Sequence, residues 1–518
     1  MIIELAAMAR YMQIADDLAR RVRSGEITAG DELPGVREYA RTLGTTSTVV
    51  RAYRYLADAG VITMADRRRA RVAGEGAIEN IEIGTAPAET PAETSIASGR
   101  RPWLTPGVGG IGTASFLADV GHEVPTSLMA SFVTTTLGAP AAALGAIEGV
   151  SEGLAGAGRF VGGALADDPG RRRAVAVGGY TTTAVFSALI GATTSVAQAG
   201  MLRAGAWAAR GLRVPARNTL LADVVPATAY GRAYGFERTM DNLGAIIGPL
   251  LALGLVSLVS VRAAVLISVV PGLLAALAIV YAIRQAKLPR ATGRRQLRFQ
   301  IRPVLRGQLG RVLAGFTAFE VGNVAGTLLI LRATDLLAAG HDTDAATRIG
   351  IALYIAYNIA ATAASFPAGG LSDRIGRHGP LLVTAVGVAT FLVSYLLFAV
   401  SGPVIWLLGV AFVLAGIGIG CAETAEHAAV AALAPDEIRG SAFGLLATVQ
   451  AVGNLAANVV AGLLYTIASP TLAFSYLAAW MVLTLALLLS VTVARSVKKR
   501  PDARHTRPLT SPEPRKPL

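Results

Sequence analysis

Two stretches decide how this chain is read: Gly163-Ala164-Leu165-Ala166-Asp167-Asp168-Pro169-Gly170-Arg171-Arg172 and Gly369-Gly370-Leu371-Ser372-Asp373-Arg374-Ile375-Gly376-Arg377-His378. Each follows an apolar run, sets an aspartate four residues after a glycine, and ends in a basic cluster. A second pair marks the same two halves: Pro226, Gly231, Ala233, Tyr234, Gly235 and Gly244 recur at equal spacing as Pro435, Gly440, Ala442, Phe443, Gly444 and Gly453. Such internal repetition reads as two copies of one structural unit.

The chain around these stretches is apolar. Of 518 residues, 53% are hydrophobic and 16% charged, with mean hydropathy +0.53, against roughly 25% charged in a soluble domain. A soluble fold so apolar would aggregate, whereas a bilayer accommodates runs of about 20 uncharged residues as spanning helices. The 57 glycines agree, because small residues let membrane helices approach closely. Twelve such runs follow residue 110, from 111–137 to 472–493, the fourth over 196–214 and the fifth over 240–260. Six precede the long basic connection and six follow it.

Positively charged connections stay cytoplasmic, so alternate loops test the orientation. One set holds Arg171, Arg172 and Arg173, then Arg213 and Arg217, the basic stretch 284–311, Arg374 and Arg377, Arg439, and the tail Lys498-Lys499-Arg500; the other offers little beyond Arg262 and Arg348. Both termini are therefore expected in the cytoplasm, with the chain multi-pass in the cell (inner) membrane. The first long apolar run begins only after Gly110, so no cleavable signal peptide is expected. With the single cysteine Cys421, no disulfide framework or cysteine-based metal cluster is expected.

The two opening stretches resemble the signature of the major facilitator superfamily, a Gly-x-Leu-(Ala/Ser)-Asp-Arg-x-Gly-Arg-(Arg/Lys) run after the second span and again after the eighth. The second copy differs only at His378, and the first has Asp168 where arginine is usual. The resemblance covers about residues 110–495 and implies an all-α membrane protein of twelve transmembrane helices in two six-helix halves. In that family the loop holds the outward-open state. Gly163, Asp167, Gly170 and Arg171, with Gly369, Asp373, Arg374, Gly376 and Arg377, take this role by resemblance. The physical reason stands alone: an aspartate near a helix N-terminus is stabilised by the helix dipole, and neighbouring arginines grip carboxylates across the seam.

Charges inside apolar spans cost about 2.5 to 3.5 kcal/mol each on insertion scales, so each needs a reason. Asp119 and Glu123 lie four apart on one face of the first span, Glu148 and Glu152 on the second, Arg203 on the fourth and Glu320 on the seventh. Paired carboxylates suggest a proton or cation site; the competing reading is that they bond across helices to arginines. His122 more simply fills a hydrogen bond. Arg203 aligns with an arginine that many proton-coupled members carry, although Ala206 and Trp207 stand where they have glutamine and glycine. The fourth and tenth spans end at matching depth, with Arg213 and Arg217 on one and Glu423, Glu426 and His427 on the other. A salt-bridge gate is expected there, with Arg217 pairing with Glu426 when the cavity faces outward.

Residues 11–72 differ in kind. Ile14, Leu18 and Val22 share a helix face, a second helix holds Val36, Tyr39 and Leu43, and a third carries Val49, Val50, Tyr53 and Leu56. Behind the strand Val61-Ile62-Thr63 come Arg67, Arg68, Arg69 and Arg71. This order is that of a winged helix-turn-helix. The runs Ser24-Gly25-Glu26, Gly30-Asp31-Glu32-Leu33-Pro34, Val49-Val50-Arg51-Ala52-Tyr53 and Ala59-Gly60-Val61-Ile62 resemble GntR-type regulators. DNA contacts are expected from Arg37, Ser47, Arg51, Arg54 and Arg68, and a dimer through this head.

The organisation read from the sequence is a winged helix-turn-helix over 1–73, a linker over 74–108, a six-helix half over 109–285, a basic loop over 286–310, a second half over 311–497 and a tail over 498–518. The expected function is secondary active transport of a small molecule, as proton-coupled efflux, with a fused DNA-binding regulatory domain. The alternative is a membrane-tethered transcription regulator whose bundle senses an effector without moving it. No phosphate loop, catalytic triad, metal site or cofactor motif is evident, so an enzyme is not expected.

Overall fold

The computed structural model describes scattered positions between residues 14 and 72, then residues 103–286, 298–340 and 342–497. The chain divides into two compact units, Met1–Gly99 and Arg100–Leu518.

In the first unit, Ile14, Ala15, Leu18, Val22, Leu33, Val49, Tyr53, Leu56 and Ile62 form one buried cluster, as the helical periodicity requires. Strand β1 (Ile62–Thr63) pairs antiparallel with β2 (Arg71–Val72), Ile62 opposite Val72. The Leu33 amide donates to the Ala70 carbonyl at 2.8 Å, tying the turn to the hairpin. Asp31 shapes that turn by accepting from the Thr28 amide (2.8 Å) and hydroxyl (2.7 Å). These two donors hold its carboxyl below the usual carboxylate range. The proposed DNA contacts Arg37, Ser47, Arg51, Arg54 and Arg68 lie outside the described residues.

Among the described residues, the regular elements of the second unit are all helices. Its first half comprises α1 (Pro106–Ser131, continued as a π-helical turn Phe132–Thr136), α2 (Ala141–Ala166), α3 (Pro169–Leu189), α4 (Val196–Val224), α5 (Tyr230–Leu258), and α6 (Val261–Ile267) with α7 (Val269–Gln285), which together make the sixth span. A short α8 (Ile301–Leu305) precedes the second half: α9 (Gly307–Gly322) with α10 (Gly326–Leu337), α11 (Thr343–Ile375), α12 (Gly379–Val400), α13 (Ile405–Leu433), α14 (Arg439–Ile467) and α15 (Pro470–Val497). Helix starts follow local chemistry. Thr105 caps α1 ahead of Pro106, Ser195 caps α4, and Asp342 caps α11. Asp168 caps α3 through the amides of Gly170 (2.8 Å) and Arg171 (3.2 Å), which accounts for an acid where the family signature has arginine. Gly376, at φ +78°, ends α11 in a conformation that side chains disfavour.

Among the described residues, eight stretches are long and apolar enough to cross a membrane, one of which joins α11 and α12. The first, second and fourth spans fall outside that criterion because they carry the polar load: Asp119, His122 and Glu123 on α1, Glu148, Glu152 and Arg159 on α2, and four arginines on α4. With them the bundle has the twelve spans expected. The expected boundaries fail on one side. α4 runs ten residues past 214 and α5 begins ten before 240, because Arg217, Asn218, Arg232, Glu237 and Arg238 face protein rather than lipid.

Candidate transport site

The two halves meet at the ends of α2, α5, α11 and α14, on the face that carries the basic loops. Asp167, just after α2, accepts from the backbone amide of Ser441 (2.9 Å) and from its hydroxyl, at the start of α14. Asp373, near the end of α11, accepts from the amides of Gly231 (2.7 Å) and Arg232 (3.0 Å) and from Arg232 Nε (2.8 Å), at the start of α5. Each half thus supplies a carboxylate to the unsatisfied N–H groups and positive dipole end of a helix in the other. Close backbone approach makes this reach workable: a Cβ on Gly163 would stand 2.7 Å from Gly444 Cα, and one on Gly369 would stand 2.1 Å from the Gly231 carbonyl oxygen. Arg172 pairs with Asp223, and Arg439 of the second half stands 3.8 Å from the same carboxylate. Among the other loop residues, Arg171 lies 3.9 Å from Asp168, while Arg374 and Arg377 are exposed.

Deeper in the first half most of the charged side chains are paired. His122 lies 3.2 Å from both Asp119 and Glu123, so it bridges the two carboxylates instead of filling a single hydrogen bond. Arg210 approaches Asp119 at 3.8 Å. Arg203 contacts Glu148 at 3.1 Å and Thr126 at 3.0 Å, with its guanidinium 3.3 Å from the Trp207 ring centroid. Trp207 Nε1 donates to Glu152 at 3.2 Å, and Arg159 pairs with that carboxylate at 3.1 Å. The tryptophan that replaces the family's glycine therefore ties the Arg203 and Glu152 clusters together.

The second half answers with a different chemistry at the same place. Asp119 packs against Gly244 of α5, and Glu320 packs against Gly453 of α14, the equivalent glycine of the repeat. Three residues on from each carboxylate stand His122 and Asn323, and Asn323 Nδ2 donates to Glu320 at 3.2 Å. Glu426 accepts from Gln450 at 3.1 Å, while its other oxygen is buried without a partner. Glu320 is 3% exposed and Glu426 0%. Among the described residues neither has a cation within ion-pair distance.

The expected gate is not formed as proposed. Arg217 pairs within its own half, with Glu237 (2.7 Å) and Asp241 (3.1 Å), and also donates to Ser115. Arg213 is buried, 4.1 Å from the Tyr180 ring centroid. Both arginines lie well inside α4, two to three turns from its end, where burial demands nearby partners. The cross-half ion pair at this depth joins Arg238 of α5 to Glu423 of α13 at 3.5 Å, with Arg238 also 3.1 Å from Asp241. Between the halves lies a cavity of about 400 Å³ lined by Asp119, Glu152, Arg159, Arg210, Arg213, Arg217, Arg238 and Asp241 on one side and by Glu320, Asn323, Glu423, Gln450, Asn454 and Asn458 on the other. This volume suits a small molecule.

Twelve membrane-crossing helices in two like halves, latched at one face and parted around a polar cavity, define a transporter rather than an enzyme. The chain belongs to the Major Facilitator Superfamily, whose sequence profile matches residues 111–332 and again 313–517, and its residues 10–72 match bacterial regulatory proteins of the gntR family. An MFS-type transporter of Methanocaldococcus jannaschii is 28% identical over 368 residues, covering 71% of this chain and 90% of the relative. A Mycobacterium tuberculosis protein is 28% identical over 381 residues, covering 70% of this chain and 87% of its own. Among solved structures, the E. coli fucose:proton symporter aligns at TM-score 0.58 and 14% identity over 74% of this chain and 98% of that one. The human organic anion transporter MFSD10 aligns at TM-score 0.55 and 15% identity over 74% of this chain and 99% of that one. At these identities the likeness is one of fold alone.

Proposed function

We propose that the chain is a proton-driven exporter of a small polar molecule, set in the inner membrane with both termini in the cytoplasm and with a DNA-binding head fused to it. The observation that carries the coupling is the pair Glu320 and Glu426, carboxyl groups withdrawn from water with amide donors but no cation. A carboxylate so placed is costly unless it takes up a proton or a positively charged group from the cavity. Proton and cargo then exclude one another, which is the requirement for exchange. Asp119, Glu123, Glu148, Glu152 and Arg203 are already matched and hold the first half's wall together. The basic loops support a cytoplasmic position for the latched face, and on that reading the cavity is that of an outward-facing state.

Reconstituted protein with an imposed pH gradient tests this. Cargo accumulation should follow the gradient in the parent and lose it in E320Q and E426Q, which should retain exchange down a cargo gradient. Gradient-driven flux equal to the parent in both variants would overturn the coupling. For the head, residues 11–72 are proposed to bind DNA as a dimer. A salt-dependent gel shift by the intact chain, abolished by R51A with R54A, is the expected result, and operator binding without flux would favour a sensor.

A further inference from the structure

The cavity is electrically lopsided. The first half lines it with five arginines and three carboxyls, and the second half with two carboxyls and no Arg, Lys or His. Formal charge is therefore +2 on one wall and −2 on the other, and zero in sum. Most of these charges are held by neighbours: Arg217 by Glu237 and Asp241, Arg159 by Glu152, and Glu423 by Arg238.

Two groups stand apart. Arg210 is 27% exposed, and its nearest carboxylate is Asp119 at 3.8 Å, which His122 already engages at 3.2 Å. Its Nε is buried with no hydrogen-bond partner. Arg213 is buried against the Tyr180 ring and, among the described residues, has no carboxylate within ion-pair distance, so the wall remains positive. Across the cavity Glu320 has the side-chain amides of Asn323 and Gln450 but, among the described residues, no cation within ion-pair distance. A monoanion would satisfy Arg210 and leave Glu320 unmatched, and a monocation would do the reverse. A neutral polyol would satisfy neither.

We propose that the cargo is a small zwitterion, its carboxylate drawn to Arg210 and its ammonium group to Glu320, so that one molecule bridges the two halves. The proposal rests on the transport reading, because a proton arriving at Glu320 displaces the ammonium end. It adds Arg210, which that reading does not use.

Four six-carbon probes test it against detergent-purified full-length protein, with intrinsic tryptophan fluorescence as the readout: norleucine, 6-aminohexanoate, hexanoate and hexylamine. At least one of the two zwitterions should bind about ten-fold or more tighter than both singly charged probes. R210Q should reduce zwitterion affinity to that of hexylamine, while R210K, which keeps the charge and guards against a folding defect, should preserve the order of preference. Binding that favours hexanoate or hexylamine, binding of none of the four, or a zwitterion preference unchanged in R210Q would each overturn the proposal. These measurements need no flux. Zwitterion binding without gradient-driven transport would instead count against proton coupling.

Discussion

Replacing Asp373 with asparagine should loosen the latched face. The carboxylate accepts three hydrogen bonds, two from amides at the start of α5 and one from Arg232 Nε. Hydrogen bonds to a charged acceptor contribute about 1.5 to 3 kcal/mol each, against about 1 for neutral ones, so the change forfeits about 1 kcal/mol per bond. Losing the negative charge at the dipole's positive end removes about 0.3 to 1 kcal/mol more. The total of about 3.5 kcal/mol shifts the closed-to-open ratio at this face by about 400-fold. Asp167 accepts two bonds, so D167N should shift it by about 70-fold, and the double variant by roughly the product, because the sites share no partner. Spin labels at the exposed positions Thr228 and Arg377, in a Cys421→Ser background, read the distance across the seam. A longer-distance population should appear in D167N and dominate in D373N. An unchanged distribution in D373N would refute the reasoning.

Gly163→Val should act in the same direction, since its Cβ would stand 2.7 Å from Gly444 Cα and 2.8 Å from the Gly440 carbonyl oxygen; the same labels measure it. R217Q should destabilise the bundle by about 3 kcal/mol, because buried Glu237 loses its closest cation and keeps Arg238 at 3.9 Å, and adding E237Q should recover part of the lost Tm. The charge exchange R217E with E426R should not restore transport, because the partners of Arg217 are Glu237 and Asp241. In the head, Asp31 has a lowered folded pKa, so its contribution is present above the unfolded value of 3.8 and is lost as pH falls through the folded value. D31N should therefore speed amide exchange at Thr28 near neutral pH, and its difference from the parent should vanish in strong acid.

The fold was legible because duplication leaves marks that survive without contacts. Asp167 and Asp373 stand four residues after Gly163 and Gly369, and the spacing of Gly231 and Gly235 returns at Gly440 and Gly444; the structure brings these same residues into contact across the seam. The cavity was less legible. Glu237 and Arg238 fell in a stretch read as connecting chain, and Asp241 at the very start of the fifth run, since hydropathy treats a charge facing another helix like a charge facing water. Their 1-and-4 spacing just before an apolar run was the available signal. Asn323, Gln450, Asn454 and Asn458 were equally visible as amides inside apolar spans, but uncharged groups raised no question of cost. The error over Arg217 has a simple origin: symmetry places Arg217 and Glu426 at one depth, but says nothing of the closer carboxylates on α5.

The exchanged carboxylates carry an implication for assembly. Asp167 finishes a helix end that belongs to the other half, and Asp373 does the reverse. Either half made as a separate polypeptide would keep a frayed helix start and an aspartate lacking its donors, whereas co-expressed fragments 100–290 and 291–518 supply each other's missing cap. Two such fragments should recover one working molecule, with mutual completion rather than the peptide joining them acting as the bond between the halves.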